Sequence, residues 1–210
     1  CEDNSRAVSL VYEGHRIYEG KPGLKGLPAT FTSGEVKALD ENACGNDDSK
    51  VYTLEIEAVD PCIGLAATLG YSVFPEQDVI TRSVKVKNNS DKNIFITKVM
   101  SAALDLPDEG YEMLSLHGSW ARERRMEFRK IGYGKQSVGS IKGKSSHQEH
   151  PFIALVDNGS SQDTGHVYGF SFVYSGNFLA QVEKNQFDSL RILMGIHPEN
   201  FEWKLSLIHI

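Results

Sequence analysis

The sequence has few cysteines, no paired cysteine spacing and no long hydrophobic run. Its 210 residues contain three cysteines, Cys1, Cys44 and Cys62, and none of them belongs to a C-x-x-C motif. An odd number without paired spacing predicts neither a disulfide framework nor a zinc site, so free thiols are expected. No apolar stretch reaches the roughly 20 residues that a membrane-spanning helix needs, so we expect no membrane partner.

Positive charge is not in excess either. The chain has 22 Lys and Arg residues against 28 Asp and Glu residues, which gives a formal net charge of −6. Binding to a phosphate backbone needs a positive field, so nucleic acid is not expected as a partner. The short basic run at residues 122–125 does not change this balance and is typical of a solvated turn.

Helical periodicity is nearly absent, and the dominant period of hydrophobicity is two, which is the period of β-strands. Three runs show the apolar face most clearly: Tyr52, Leu54, Ile56 and Ala58; Phe178, Ala180 and Val182; Leu190, Ile192, Met194 and Ile196. Many short strands with Gly, Asn and Asp between them predict an all-β fold. Because a sheet face needs a second layer to cover it, we expect two antiparallel sheets packed as a sandwich.

Several local predictions follow the same patterns. Residues 81–87 and 93–99 flank a turn-rich Asn-Asn-Ser-Asp stretch and predict a hairpin. The aromatic alternation over residues 168–174 predicts a buried strand or one that lines a groove. Residues 32–50 are polar and predict a long surface loop. Residues 138–150 are rich in Gly, Ser and Lys and predict a second irregular segment. Trp203 lies in a strand-like run and is expected in the core.

Motifs that would supply a catalytic centre or a metal site fail on spacing. Gly139 and Gly143 enclose three residues, where a P-loop needs four, and His147 and His150 are separated by two residues rather than the three of a zinc-protease helix. There is no G-x-S-x-G elbow. Asp105 and Asp108 flank a proline turn, where solvation or turn hydrogen bonding is the expected role. We therefore expect no catalytic residue, metal or cofactor in this chain.

Six segments occur together in one order along nearly the whole chain. They are GHRIYEGKPGLKGLPATF from Gly14, YSVFPEQDVITRS from Tyr71, LDLPDEGYEMLSLHGSWARER from Leu104, GKSSHQEHPFIAL from Gly143, YGFSFVYSGNF from Tyr168 and GIHPENFEWKL from Gly195. Collectively they resemble the N-terminal domain of the α-galactosidases of glycoside hydrolase family 36, the melibiases.

The resemblance implies an architecture that this chain carries only in part. Residues 1–205 are expected to form the N-terminal β-supersandwich, incomplete at its N-terminal side, and the catalytic (β/α)₈ barrel is absent. Residues 206–210 resemble translated vector sequence and are expected to be non-native. Cys44 is expected to lie in an insertion.

The resemblance also implies an activity for the complete protein. The family removes terminal α-D-galactosyl residues from melibiose- and raffinose-type sugars with retention, using two aspartates on the barrel. This chain alone is therefore expected to be inactive. Further expected partners are the protein's own barrel and identical subunits, since family members are often tetramers. The compartment depends on the source: cytoplasmic for a bacterial protein, secreted for a fungal one.

One residue, Trp120, is singled out for binding. In the family the tryptophan of the G-x-W-A-R-E motif reaches into the galactose pocket, and a flat indole suits the apolar face of a sugar ring. Arg122 and Glu123 are expected to pin its loop by ionic hydrogen bonds. From the residues alone, Trp120 as a core residue remains open. Two other functions also remain open: a freestanding carbohydrate-binding sandwich, in which Trp120 and residues 168–174 form the groove, and a purely structural one.

Overall fold

The computed structural model of the chain describes residues 8–25, 36–40, 49–161 and 163–205. These residues form antiparallel β-sheets, with one short 3-10 turn at Pro75–Gln77 and no α-helix in the described ranges. The all-β prediction is confirmed. The chain divides into two compact units, residues 1–95 with 203–210, and residues 96–202. Predictions for Cys1, Cys44 and residues 206–210 lie outside the described residues.

The strands are numbered in chain order. They are β1 (Val11–Glu19), β2 (Lys37–Ala38), β3 (Tyr52–Asp60), β4 (Leu65–Phe74), β5 (Val79–Asn88), β6 (Ile94–Ile96), β7 (Met100–Pro107), β8 (Glu112–Ser119), β9 (Arg122–Lys130), β10 (Gly134–Ser140), β11 (Glu149–Val156), β12 (Val167–Ser171), β13 (Phe178–Lys184), β14 (Ser189–Ile196) and β15 (Trp203–Leu205).

The first unit is built on a five-stranded sheet in the order β2-β1-β3-β4-β5, beside a two-stranded sheet of β6 and β15. The predicted hairpin of residues 81–87 with 93–99 is therefore wrong, because β5 pairs with β4 and β6 pairs with β15. The chain turns away from β5 at Asn88, the last residue of that strand. Its side-chain amide donates to the carbonyl groups of Lys92 and Leu205, at 2.6 and 3.1 Å, which fixes the turn and holds the last strand nearby.

Polar and apolar side chains of β3 alternate between the two faces of the five-stranded sheet, as the sequence predicts. The apolar face is not uniformly the more deeply buried one, however. Leu54 and Ile56 on the apolar face are only half-buried, whereas Thr53 and Glu55 on the polar face are 3% and 8% exposed. Cross-strand partners cover the polar face. Thr53 and Ser72 share a hydrogen bond of 2.8 Å between their hydroxyl groups, and Lys85 donates to Glu55 at 3.2 Å.

The second unit contains two four-stranded sheets, β10-β13-β14-β7 and β12-β11-β8-β9. One continuous core joins them, and side chains from both sheets contribute to it: Tyr111, Met113, Val138, Ile153, Leu155, Phe178, Ala180, Val182, Leu190, Ile192 and Met194. Most of these side chains have no exposed surface at all. We call this unit the sandwich.

Predictions for the sandwich core hold at most positions. Phe178, Ala180 and Val182 are fully buried, and Leu190, Ile192 and Met194 follow the same pattern, while Ile196 is half-buried. Val138, predicted in an irregular segment, is instead a buried residue of the strand β10. The alternation explains this success, because a strand buried on one face must present every second side chain to the core.

Two aromatic predictions fared differently. Trp203 is 54% exposed, so its assignment to the core is wrong. The aromatic run is a strand only as far as Ser171, and its middle members Phe170 and Phe172 pack against the sandwich core. Tyr168 and Tyr174 remain 46% and 41% exposed. The four aromatic side chains therefore do not share one open groove.

The segment of residues 32–50 was predicted as a loop. Its described part contains the two-residue strand β2, so the segment is not wholly a loop. Cys62 is a free, exposed thiol, as expected. In the described part of the chain, no helix has the length and apolar character needed to cross a membrane.

Candidate functional site

Trp120 lies at the tip of the hairpin of β8 and β9, where only Trp120 and Ala121 connect the strands. The pairing of Ser119 with Arg122 makes this a tight turn, and Ala121 takes a left-handed φ of 62°. The Glu123 carboxylate accepts a 2.9 Å hydrogen bond from the Ala121 backbone N–H, which fixes the turn. The Trp120 side chain is 85% exposed, so it is not a core residue.

The pinning role predicted for the charged neighbours holds for one of them. Glu123 caps the turn as described, but among the described residues the Arg122 side chain has no ion pair or hydrogen bond. Arg124 also has a left-handed φ of 57°. Ala121 and Arg124 are thus both non-glycine residues in the left-handed conformation, which is uncommon. Their conformations mark a constrained turn.

Gly118 sets how closely the hairpin base can pack. A β-carbon at this position would collide with the Arg122 carbonyl oxygen and would lie 2.9 Å from the Glu123 α-carbon and 3.0 Å from the His147 carbonyl oxygen. Glycine is therefore required by contact rather than by backbone angle. The contact with His147 also places the segment that precedes β11 beside the hairpin of Trp120.

Below the turn, His117 ties three strands together. Its Nε2 atom lies 2.8 Å from the Ser115 hydroxyl and 3.1 Å from a Glu127 carboxylate oxygen, and its Nδ1 atom lies 3.2 Å from Glu149. This cluster joins β8 to β9 and to β11 and so stabilises the base of the hairpin.

His147 and His150 do not form a metal site. Within the described residues, no group of three or more His, Cys, Asp and Glu side chains is arranged to hold a metal ion. His147 is exposed, while the Nδ1 atom of His150 is buried without a hydrogen-bond partner. Burial, followed by the nearby Arg124 charge, lowers the pKa of His150 below its ordinary value, which favours the neutral ring.

Asp105 and Asp108 form two separate ion pairs rather than a catalytic pair. Asp105 accepts two hydrogen bonds from Arg191 at 2.7 and 2.8 Å on the sheet surface. Asp108 accepts from Lys184 at 2.5 Å and from the Gly110 N–H at 3.0 Å, so the expected turn bonding holds for Asp108. The hydrogen bond from Arg191 lowers the pKa of Asp105. Both side chains are thus engaged structurally.

Beside the hairpin lies an open recess that sequence reasoning missed. Its lining residues are Lys142, Lys144, Ser146, His147 and Gln148. They belong to the segment between β10 and β11, and β11 starts with Glu149 opposite His117. Periodicity could not have found the recess, because this segment is neither helix nor strand.

Comparison with known proteins places the chain in a family. The chain matches the glycosyl hydrolase family 36 N-terminal domain over residues 1–206, and it belongs to this family. Alpha-galactosidase AgaA of Geobacillus stearothermophilus is 44% identical over 205 residues, which are 98% of this chain and 26% of that protein. Alpha-galactosidase C of Emericella nidulans is 42% identical over 197 residues, which are 94% of this chain and 24% of that protein.

A solved structure agrees with these matches. A crystal structure of a Geobacillus stearothermophilus AgaA variant in complex with raffinose has a TM-score of 0.88 to this chain at 43% identity, and the match covers 98% of this chain and 27% of that one. The chain thus spans about a quarter of the length of the curated relatives that it matches.

Proposed function

We propose that this chain is the N-terminal domain of an α-galactosidase that removes terminal α-D-galactosyl residues from melibiose- and raffinose-type sugars with retention. The proposal is supported by the relatives that this chain matches, which are alpha-galactosidases. In that enzyme the bond is cut by two carboxyl groups on a barrel domain outside these 210 residues, one as nucleophile and one as acid and base. By itself the chain is inactive.

Within that enzyme, Trp120 forms one wall of the galactose pocket. The observation that carries this proposal is an indole that is 85% exposed on a turn of fixed geometry. Leaving a tryptophan in water has no benefit for folding, whereas a rigid aromatic plane can cover the C–H face of a sugar at a small cost in side-chain entropy. The cap by Glu123 and the contacts of Gly118 hold the backbone of the turn that carries the indole before the sugar arrives.

The same hairpin offers a surface for the barrel or for another subunit. Met126 and Phe128 of β9 are 65% and 51% exposed, and their cross-strand partners Leu116 and Leu114 add to the same apolar face. This face supports the proposed contacts with the barrel and between subunits in the complete protein.

The test uses the complete enzyme with Trp120→Ala. We expect kcat/KM for galactosides to fall by about 10- to 100-fold, which corresponds to about 1.4 to 2.7 kcal/mol. The free energy of unfolding should change by less than about 0.5 kcal/mol, since an exposed side chain is removed. Normal kinetics in a correctly folded variant would refute the proposed role of Trp120.

A further inference from the structure

The recess beside the Trp120 hairpin has a preformed backbone. The Ser145 N–H donates to the Ser175 carbonyl at 2.8 Å, and the Gly143 N–H donates to the Asn177 side chain at 2.6 Å. The Ser140 hydroxyl donates to the Lys144 carbonyl at 2.7 Å. The first two bonds anchor the segment to the loop before β13 and the third closes a turn within it, so its backbone needs little ordering when a ligand binds.

The side chains of the recess combine hydrogen-bond donors with acceptors. The Lys142 side chain donates to the side-chain amide oxygen of Gln148 at 2.5 Å. The two hydrogens of that amide group remain available. Ser146 accepts from the Gln148 backbone N–H at 3.2 Å and keeps its own hydroxyl hydrogen. Among the described residues, the side chains of Lys144 and His147 have no hydrogen-bond partner. Such a set suits hydroxyl groups, which both donate and accept.

The position of the recess follows from the strand register. Glu149 pairs with His117, so the residues before Glu149 run alongside the residues after His117, and the His147 carbonyl packs against Gly118. The recess therefore lies at the same end of the β12-β11-β8-β9 sheet as Trp120.

We propose that this recess is a second sugar subsite, which binds the hydroxyl groups of the part of an oligosaccharide that extends beyond the galactosyl ring. This proposal rests on the proposed function of Trp120 and deepens it. The indole covers the galactosyl residue, while His147 and Gln148 select substrates that carry further sugar rings. A substrate with an aryl group in place of those rings makes no use of the recess.

The experiment measures kcat/KM of the complete enzyme for raffinose and for p-nitrophenyl α-galactoside. His147→Ala and Gln148→Ala should each lower the value for raffinose by about 3- to 10-fold, the worth of one or two hydrogen bonds. The value for the aryl substrate should stay within about twofold. His166→Ala is the matched control, because His166 is an exposed histidine in the loop at the opposite end of β11 and should leave both values unchanged.

The outcomes separate this proposal from the one on which it rests. Equal losses for both substrates, or no loss for either, would overturn the second subsite while Trp120→Ala still reduces both activities. If Trp120→Ala itself has no effect on either substrate, the proposed function fails first. Because both changed side chains are exposed, each variant should keep the free energy of unfolding of the unchanged protein. Urea unfolding checks this and so excludes misfolding as the cause of a loss of activity.

Discussion

The sandwich of residues 96–202 and the unit of residues 1–95 with 203–210 bury their apolar side chains to different extents. In the sandwich, Phe178, Leu190 and Ile192 have no exposed surface. In the other unit, Leu54 and Ile56 at the middle of the apolar face are only half-buried. Both units have the same alternating sequence pattern, so the pattern does not decide burial. In the sandwich, a second four-stranded sheet covers the apolar face.

This difference has a consequence for the candidate site. Trp120 and the recess both belong to the sandwich, and their supporting strand β8 contributes Met113, which is fully buried, to the core. A binding surface is most precise when it stands on a rigid, well-packed element. The first unit instead relies on polar cross-strand pairs such as Thr53 with Ser72.

The largest effect is expected from truncation in the core. Phe178→Ala should lower the free energy of unfolding of the sandwich by about 3 to 5 kcal/mol, because it leaves a cavity in a closed core. Leu54→Ala, on the half-buried face of the first unit, should cost about 1 kcal/mol, within the ordinary range for single substitutions. Urea unfolding measures both, and equal costs would show that the two units do not differ as described.

An intermediate effect is expected from adding one methyl group to glycine. Gly118→Ala should cost about 1 to 3 kcal/mol, because the β-carbon collides with backbone atoms of the hairpin and of His147. Gly14→Ala is the control from the first unit, since nothing lies within 4 Å of its β-carbon position. Thermal unfolding distinguishes them. A neutral Gly118→Ala would mean that the hairpin base is loosely packed.

The smallest effect is expected on the pH dependence of stability in the acidic range. The pKa values of Asp60 and Asp108 both lie below the ordinary 3.8. Hydrogen bonding from the Ser9 N–H is the main cause for Asp60. For Asp108, burial pushes the pKa up, but the hydrogen bond from Lys184 and further bonds outweigh it. Because these folded-state values are depressed, each contribution is present above about pH 4 and is lost as the pH falls below it.

Asp60→Asn and Asp108→Asn should therefore destabilise the protein at pH 7 and much less at pH 3. Asp91→Asn, at an exposed turn, is the control for the loss of one carboxylate. Urea unfolding at the two pH values checks this, with Asp60 reporting on the first unit and Asp108 on the sandwich. An unchanged difference between the pH values in both variants would contradict the account of these carboxylates.

Sequence periodicity was sufficient for the core positions of β13 and β14, because the apolar side chains at every second position of these strands face the core. It failed where pairing depends on contacts distant in sequence. Asn88 holds the carbonyl group of Leu205, 117 positions away, and this contact belongs to a strand arrangement that the hairpin prediction missed. Trp203 was misplaced for a related reason, since a three-residue strand carries too little pattern to assign a face.

The candidate site divides in the same way. Trp120 was found because its motif resembles that of a family, and its exposure decided against the core alternative that the residues alone had left open. The recess was not found, because its five lining residues lie in a segment that is neither helix nor strand and so carries no periodic pattern. Asp105 was expected in a turn, yet it faces Arg191 on the adjacent strand, a pairing that one-dimensional spacing does not show.

The most direct test of the central claim is a raffinose titration of the 210-residue chain alone, followed through the indole N–H resonance of Trp120 by NMR. Trp120→Phe assigns that resonance and separates it from Trp203. If Trp120 forms only one wall of a pocket that the barrel must complete, the resonance should show no saturation up to about 10 mM sugar. Saturation at about 1 mM or below, a binding free energy of about −4 kcal/mol or better, would contradict the account and favour a freestanding carbohydrate-binding sandwich.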